Sequence, residues 1–291
     1  MSEDQFELDF DAIPKHRSAV GIVDADSIMF QLGWYYVKAD ILPDDGANYK
    51  DAIQVPPAIN KAVETFLDKL RKQMNVETLH LHFTGGHKNQ GLFEEFMGKP
   101  MQQQFRGTLG NTYKANRKEM LLPAGYHYTL RSLLQEPNTY IHDQWEADEA
   151  VILHKKLNPD WVLSSCDKDV YKQHHGTNWL YDKRKVWVDI DKDFANYFAF
   201  LQAITGDAVD GFIGAKGIGP KKAESFVSPE RTPAENWQGV LEAFDSKGLD
   251  EAEALINMRF ANMHQLIIGD DGAPIIDLWK PERHHLEPVW K

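Results

Sequence analysis

The sequence predicts an α/β fold in which helices cover both faces of a central sheet. Two short apolar runs have the character of strands: residues 18–23 lead into an aspartate, and residues 78–83 (TLHLHF) alternate with period two. Between them, residues 57–74 carry apolar side chains at helical spacing. A further helix is predicted at 148–157, followed by a third strand at 161–165 (WVLSS). Strands that alternate with helices favour a mostly parallel sheet.

Three regions are expected along the chain. Residues 1–17 precede the first strand and form an N-terminal arm. Residues 18–200 form the core, which includes a long connection of different character at 84–135. Residues 201–291 form a helical and loop-rich C-terminal region that contains many glycines.

Composition limits the classes of protein to which the chain can belong. At 291 residues with 42% hydrophobic side chains, it is long enough for a substantial core. The single cysteine, Cys166, excludes an internal disulfide and fits a reducing compartment. The N-terminus lacks an apolar signal segment, and no stretch approaches the ~20 apolar residues of a membrane span. We therefore expect a soluble, cytoplasmic monomer with no membrane partner.

Acidic side chains are concentrated in short clusters beside predicted strands and helices. The clusters comprise Asp24; Glu146, Asp148 and Glu149; Asp167 and Asp169; and Asp207 and Asp210. Carboxylates gathered in this way repel one another unless cations lie between them, and oxygen ligands suit Mg²⁺ or Mn²⁺. The clusters therefore predict a divalent-metal enzyme.

The spacing within each cluster predicts where its side chains point. Glu146 and Glu149 share a helical face, and a helix that begins near Asp148 puts these carboxylates at its positive end. Simple capping of that helix is the alternative for this cluster taken alone. Two further pairs are expected to point together, with Lys168 directed outward: Asp167 with Asp169 after a strand, and Asp207 with Asp210 on a helix.

The net charge of −12 argues at first against a nucleic-acid partner, since phosphate binding usually shows as a basic excess. If the eight clustered carboxylates bind metal ions, the 44 acidic side chains less these eight leave 36, against 32 basic ones. The rest of the chain is then close to neutral, and the objection weakens.

The connection at 84–135 is positive, although the chain as a whole is negative. It contains seven Lys or Arg side chains against three Glu. Aromatic side chains lie between them, namely Phe105, Tyr113, Tyr126 and Tyr128, and aromatic rings stack on unpaired bases. We expect a surface that holds a polyanion; a solvated helical face is the alternative.

Residues 214–223 (GAKGIGPKKA) place glycines and then lysines in a turn before a helix. Glycines let backbone N–H groups approach phosphates closely, and lysines add positive charge. The segment predicts a helix–hairpin–helix grip on a phosphate backbone. A glycine-rich turn that packs two helices together is the alternative.

The twelve histidines do not predict a zinc site. His80 and His82 lie on one face of a strand, and the pairs at 174–175 and 284–285 lack ligand spacing. Neither a Ser/His/Asp arrangement nor a Walker-type loop stands out in the sequence.

Several motifs, taken in order, resemble the flap endonuclease and 5′→3′ exonuclease superfamily. They are VDAD (23–26), YKANR (113–117), EADE (146–149), SSCDKD (164–169) and GDAVDGFIGAKGIGPKKA (206–223). YKANRK, PAGY, SCDKD and the late IDLWKP (276–281) are similar to segments of the small 5′→3′ exonucleases of short-tailed bacteriophages. The resemblance spans roughly residues 20 to 281.

The resemblance implies a PIN-like core, a helical arch over the active site at 84–135, a C-terminal helix-three-turn-helix element and two Mg²⁺ ions, for which Mn²⁺ can substitute. It implies a first ion held by Asp24, Glu146, Asp148 and Glu149, and a second held by Asp167, Asp169 and Asp210 with Asp207 nearby. Lys114, Arg117 and Tyr113 match catalytic residues of the arch. The implied DNA-binding residues, beside which the family can carry a monovalent cation, are Gly214, Lys216, Gly217, Ile218, Gly219, Lys221 and Lys222.

Two departures from the family pattern affect the first ion. Most members have an acid at the end of the second strand, where this chain reads FTGGH with Gly85 at the centre. Glu149 also replaces the usual second Asp of a pair. Our hypothesis is that Asp26, or a water held by Thr84 or His87, takes the place of the missing acid.

The resemblance implies a metal-dependent 5′→3′ exonuclease that acts on duplex DNA, RNA–DNA hybrids and 5′ flaps. Phage DNA replication, primer removal or DNA degradation is the expected role, in the host-cell cytoplasm. A catalytically weakened DNA-junction binding protein is the main alternative. A PIN-type ribonuclease is disfavoured by the turn at 214–223, and a phosphatase would have no use for an arch.

Overall fold

A six-stranded sheet organises the structure, a computed structural model that describes residues 18–43, 54–110, 113–115, 121–181 and 185–281. The strands are β1 (Ser18–Asp24), β2 (Val76–Thr84), β3 (Thr139–His142), β4 (Val162–Ser164), β5 (Gly176–Leu180) and β6 (Val186–Ile190), with a separate hairpin of β7 (Leu266–Ile268) and β8 (Pro274–Ile276). The helices are α1 (Asp26–Lys38), α2 (Pro57–Met74), α3 (Gln90–Met97), α4 (Arg106–Leu109), α5 (Tyr126–Leu133), α6 (Ala147–Leu157), α7 (Lys168–Lys172), α8 (Lys192–Thr205), α9 (Pro220–Ala223), α10 (Pro233–Asp245) and α11 (Glu251–Ala261).

The strand order is β3-β2-β1-β4-β5-β6, and every pair is parallel except β5 with β6. From β1, the order of strands therefore runs one way through β2 and β3 and the other way through β4, β5 and β6. The strand order reverses between β1 and β4. Ligands of such sheets gather beyond the carboxyl ends of the strands, at the point of reversal. Asp24 ends β1 at that point, and Thr84 ends the neighbouring β2. The predicted α/β sheet with helices on both faces is confirmed.

Helices cover the sheet because each carries an apolar stripe. On α2 the buried side chains follow the spacing of one helical face: Ile59, Val63, Leu67, Leu70 and Met74. They belong to the same core cluster as Val23 of β1, whereas Ile22 packs with Val151 and Ile152 of α6. Successive strand residues point to opposite faces, so the two clusters lie on the two sides of the sheet. None of the helices in the described part of the chain is long and apolar enough to cross a bilayer.

The C-terminal region has a core of its own, in which α8, α10 and α11 surround Trp279. Between α8 and α9 the chain forms a tight turn, and Asp207 pairs with Phe212 in an isolated bridge. The prediction that Asp207 and Asp210 share a helical face is therefore wrong. The helix ends because Gly206 adopts a φ of +71°, and the turn leaves no space at Gly214, where a Cβ would lie 2.3 Å from the Ile204 carbonyl oxygen.

Candidate active site at the carboxyl edge of the sheet

Acidic side chains from several elements meet at the carboxyl edge of the sheet. Asp24 ends β1, Asp167 follows β4, and Asp148 lies in the first turn of α6, where its pKa responds to both of the others. The Ser165 hydroxyl joins two of these segments: it donates to Asp24 Oδ2 at 2.7 Å and accepts the Asp167 N–H at 2.9 Å. Clusters that are far apart in sequence are thus in electrostatic contact.

Burial and mutual repulsion oppose full ionisation of these carboxyls. Burial, and then the charge of Asp26, raises the pKa of Asp24 to about 7. Burial, followed by Asp24 and Asp167, raises the pKa of Asp148 well above its usual range. Burial and Asp167 together raise the pKa of Asp169 to about 6. A cation among these oxygens would relieve the repulsion.

Two side chains of the connection lie against Glu146. Lys114 Nζ donates to Glu146 Oε1 at 2.6 Å, and the Tyr113 hydroxyl donates to Glu146 Oε2 at 2.7 Å. Burial alone would raise the pKa of Glu146, but Lys114 and Arg106 outweigh it and lower this pKa to about 2. The backbone N–H of Lys114 also donates to the Asp210 carbonyl oxygen at 2.6 Å. The connection is thereby attached to the acidic cluster at residues 113 and 114.

Lys168 lies between two acidic segments. Its Nζ donates to Asp169 Oδ1 at 3.0 Å and to Asp207 Oδ2. Asp207 Oδ1 in turn accepts the N–H groups of Val209 and Asp210, which holds the turn in shape. The prediction that Lys168 points outward is wrong, because residue 168 begins the short helix α7 and does not continue the strand.

The first turn of α6 is capped by its own acidic residues. Glu146 is the N-cap residue and forms a capping box with Glu149. Glu149 Oε2 accepts the Glu146 N–H at 3.2 Å, and Oε1 accepts from Arg106 Nε at 3.0 Å. Helix capping, the alternative to metal binding for this cluster, is therefore present.

The end of β2 lacks an acid of its own but is contacted by one from α1. Asp26 Oδ1 accepts the Thr84 N–H at 3.0 Å, and burial raises the pKa of Asp26 to about 6. Gly85 has no room for a side chain, since a Cβ there would lie 2.7 Å from Met101 Cε and 2.8 Å from the His142 carbonyl oxygen. An acid at residue 85 would be crowded, whereas the Asp26 carboxylate reaches this strand end without displacing anything.

Within the described residues, no three His, Cys, Asp or Glu side chains are arranged as a preformed metal site. The ammonium groups of Lys114 and Lys168 lie against the carboxylates and neutralise part of their charge. The donors themselves suit a hard divalent cation, because they are buried carboxylate oxygens whose charges repel one another. Arg117 and the side chain of His87, both named in the predictions, lie outside the described residues.

The lysines of the glycine-rich turn are exposed: Lys216, Lys221 and Lys222. Ile218 is only 3% exposed and anchors the turn in the C-terminal core. A Cβ built on Gly217 would lie 3.7 Å from Lys247 Nζ, so Lys247, just after α10, adds a fourth lysine to this surface. The turn therefore combines a packing role with an exposed basic face.

Two of the four aromatic side chains predicted to stack on bases belong to the core. Tyr126 and Tyr128 of α5 are 4% and 8% exposed. The ring of Tyr126 packs on Phe30 of α1, with 4.9 Å between centroids. The stacking prediction is wrong for this pair, because α5 packs against helices α1 and α2. The Tyr113 ring, in turn, stacks on Phe260 with 5.1 Å between centroids.

Known proteins include two that are similar to this chain in sequence and one that is similar in fold. Over 143 residues the chain is 30% identical to the exodeoxyribonuclease of Enterobacteria phage T3 and 29% identical to the exonuclease of Escherichia phage T7. The fold is similar to that of the bacteriophage T5 flap endonuclease, solved as a complex with DNA and metal ions, with a TM-score of 0.56 and 15% identity over 84% of this chain and 89% of that one. The chain is therefore similar in sequence to phage exonucleases and in fold to a flap endonuclease. The predicted resemblance to phage exonucleases is confirmed.

The sequence similarity to the two phage exonucleases is partial. The aligned region covers 47% of this chain and 46% of the T3 protein, so the chain spans about half the length of the curated relatives it matches. No family model matches the sequence.

Two residues that hold the candidate site together could not be identified from the sequence. Ser165 joins Asp24 to the segment after β4. Arg106 was counted only as part of a positive stretch, yet it is fully buried beside Glu149. No local pattern distinguishes a buried arginine from an exposed one, or a bridging serine from any other. The sequence therefore gives no signal for Arg106 or Ser165.

Proposed function

We propose that this protein is a divalent-metal-dependent 5′→3′ exonuclease that hydrolyses phosphodiesters of duplex DNA. The observation that carries the proposal is the meeting of buried carboxylates at the carboxyl edge of the sheet, with Lys114 and Tyr113 against them. The partial identity to phage exonucleases supports the same reaction. RNA–DNA hybrids and 5′ flaps are proposed as further substrates, in phage DNA replication, primer removal or DNA degradation.

The proposed cofactor is Mg²⁺, with Mn²⁺ able to replace it. The first ion is assigned to Asp24, Glu146, Asp148 and Glu149, with Asp26 at the end of β2. The second is assigned to Asp167, Asp169 and Asp210, with Asp207 nearby. When bound, such ions activate a water and neutralise charge on the phosphate. The raised pKa values of Asp24, Asp148 and Asp169 support the assignment, because these carboxyls gain most from a nearby cation.

Asp26 is the proposed substitute for the acid missing at the end of β2. Its contact with the Thr84 N–H brings its charge to that strand end, close enough to Glu146 and Lys114 for both to influence its pKa. Crowding at Gly85 explains why an acid on the strand itself is disfavoured.

The remaining roles belong to the chain's basic and aromatic groups. Lys114 and Arg117 are proposed to neutralise the scissile phosphate, and Tyr113 to orient Glu146. The exposed lysines at 216, 221 and 222, joined by Lys247, are proposed to bind the duplex backbone beside Gly217 and Gly219, with a monovalent cation at the turn. We propose a monomer in the host-cell cytoplasm.

The test is digestion of 5′-labelled and 3′-labelled blunt, flapped and hybrid duplexes in Mg²⁺ or in EDTA. Asp169→Asn is the inactive control, and Asp270→Asn, in the exposed turn between β7 and β8, is the matched control for loss of one carboxylate. We expect metal-dependent release of short products from 5′ ends by the wild type and by Asp270→Asn only.

The second candidate is a DNA-junction binding protein that has lost catalysis. The observation in its favour is that Lys114 and Lys168 form ion pairs with the carboxylates. In addition, the described residues contain no preformed metal site. Tight binding of duplexes without cleavage in either Mg²⁺ or Mn²⁺ would establish this alternative and refute the nuclease.

A further inference from the structure

Arg106 is fully buried, and the function proposed above gives it no role. Its Nε and Nη2 both lie 3.0 Å from Glu149 Oε1. Nη1 donates to the Phe260 carbonyl oxygen at 2.5 Å and approaches the Tyr113 hydroxyl at 3.5 Å. Nη2 also donates to the Asn262 carbonyl oxygen at 2.8 Å. One guanidinium thereby joins α4, α6 and the end of α11.

Both oxygens of Glu149 are already bonded within the protein. Oε1 faces Arg106, and Oε2 accepts the Glu146 N–H at 3.2 Å. The side chains of Arg106 and Glu149 are both 0% exposed. Turning the Glu149 carboxylate toward a metal ion would leave a buried guanidinium without its counter-charge, which is strongly unfavourable.

The same pair fixes Glu146 from two directions. Glu149 holds the Glu146 backbone through the capping box. Arg106 holds the Phe260 carbonyl, and the Phe260 ring stacks in parallel on Tyr113, whose hydroxyl donates to Glu146 Oε2 at 2.7 Å. Arg106 Nε also lies 3.9 Å from Glu146 Oε2, which is within ion-pair distance but too far for a hydrogen bond. The position of the Glu146 carboxylate therefore depends on the Arg106–Glu149 pair.

The geometry points to Arg106 and Glu149 as a positioning pair: Glu149 is not a metal ligand, and the pair orients Glu146 toward the ion. This inference rests on the proposed function, because the orientation of Glu146 matters only at a site that binds metal. It removes one carboxylate from the ligand set that the family resemblance implies. It also connects the segment at 106–113 and the C-terminal region to the metal site.

The test is Mn²⁺ binding by calorimetry on the full chain, together with thermal unfolding in EDTA. The variants are Arg106→Met, Glu149→Gln and the double variant. Because each single change breaks the same pair, we expect each to weaken Mn²⁺ binding by about 10-fold and to lower the unfolding temperature in EDTA. The double variant should bind Mn²⁺ no more weakly than either single variant, since the two changes are coupled.

Asp148→Asn is the matched control, because it removes a proposed ligand from the same helical turn. It should weaken Mn²⁺ binding without lowering the unfolding temperature in EDTA, since burial and the neighbouring acids disfavour an ionised carboxylate at this position. Arg106→Lys keeps the charge without the fork of donors and replaces Arg106→Met if that variant does not fold.

Two results would overturn the positioning pair. One is tighter Mn²⁺ binding by Arg106→Met, as expected if the arginine only competes with the ion for Glu149. The other is a Glu149→Gln variant that loses Mn²⁺ affinity but keeps its stability in EDTA, which is the result expected if Glu149 is a metal ligand. Failure of the wild type to bind Mn²⁺ would refute the proposed function and also the claim that the pair orients Glu146 toward an ion. Unchanged stability of Glu149→Gln in EDTA would refute the positioning pair but not the proposed function.

Discussion

Gly85 shows how one residue without a side chain shapes the site. Its N–H donates to the His142 carbonyl oxygen at 2.7 Å, and Gln104 Nε2 donates to the carbonyl oxygens of both residues. A Cβ at 85 would lie 2.8 Å from that His142 oxygen, so Gly85→Ala should lower the free energy of unfolding by about 1–3 kcal/mol in urea denaturation. Gly86→Ala is the control, because nothing lies within 4 Å of a Cβ there. Equal stability of the two variants would contradict the crowding.

Asp26 is the residue that tests the proposed first metal site most directly. Asp26→Asn keeps the shape of the side chain but removes the charge at the end of β2. If Asp26 replaces the missing acid, we expect a fall in the cleavage rate of at least about 10-fold in Mg²⁺. Partial recovery at higher metal concentration should accompany it. Full activity in Asp26→Asn, together with restored or heightened activity in Gly85→Asp, would show that Asp26 has no such role.

Individual carboxylates could be predicted from the sequence, whereas their partners could not. Asp24, Asp148 and Asp167 stood out because acids close to strand and helix ends are visible along the chain. Lys168 was assigned the wrong direction because period-two alternation was extended past the end of β4 into α7. Arg106 gave no signal, since its burial depends on residues about 150 positions away, such as Phe260.

At the scale of elements, a chain of hydrogen-bonded rings links β2, β3 and the segment before α6. Trp145 Nε1 donates to His142 Nδ1 at 3.0 Å, and His142 Nε2 lies 2.9 Å from His82 Nδ1. His142 therefore carries its proton on Nε2 and donates to His82. The ring of His154 packs edge-on against His82 with 4.6 Å between centroids. The arrangement requires neutral imidazoles.

This chain of rings predicts a loss of stability in acid. Burial lowers the pKa of His142 to about 3, below its ordinary value of 6.5. A histidine whose pKa falls on folding stabilises the protein above pH 6.5, and that stability is lost as the pH falls further. Between pH 7.5 and pH 5.0 the contribution of His142 should decrease by about 2 kcal/mol. We expect His142→Asn to show a correspondingly smaller decrease in urea denaturation, while Trp145→Phe keeps it; an identical decrease in all three proteins would contradict this.

The elements that were predicted are those with a clear local period. The helix expected at 57–74 is α2, because its apolar stripe is regular over eighteen residues. Strands β3 and β5 were missed, since each is only four or five residues long and neither alternates cleanly. Helix α1 was missed because it is apolar around much of its circumference and follows β1 after a single residue. The turn at 207–212 was mistaken for helix because acids three apart fit both.

At the scale of the whole molecule, the proposed function must reconcile a net charge of −12 with a polyanionic substrate. The carboxylates are gathered at the edge of the sheet and partly neutralised by Lys114 and Lys168. The exposed lysines that are proposed to bind DNA lie in the turn at 216–222 and at Lys247. The sequence predicts the separation of acidic and basic segments along the chain. Their arrangement in space depends on how α8 through α11 pack on one another and on α4 and α7.

This separation predicts how salt affects DNA binding. If Lys221 and Lys222 each contact a phosphate, replacing both by alanine should weaken duplex binding and reduce the slope of log affinity against log salt by about 2. Fluorescence anisotropy with the Asp169→Asn protein, between 50 and 200 mM salt (roughly the range over which such slopes are measured), avoids cleavage during the titration. Lys61→Ala, on the exposed face of α2 and paired with Glu64, is the control and should leave the slope unchanged. A slope that is the same in all three proteins would mean that the duplex is held elsewhere on the molecule. The slope measures the number of counterions released from the DNA when lysines neutralise its phosphates.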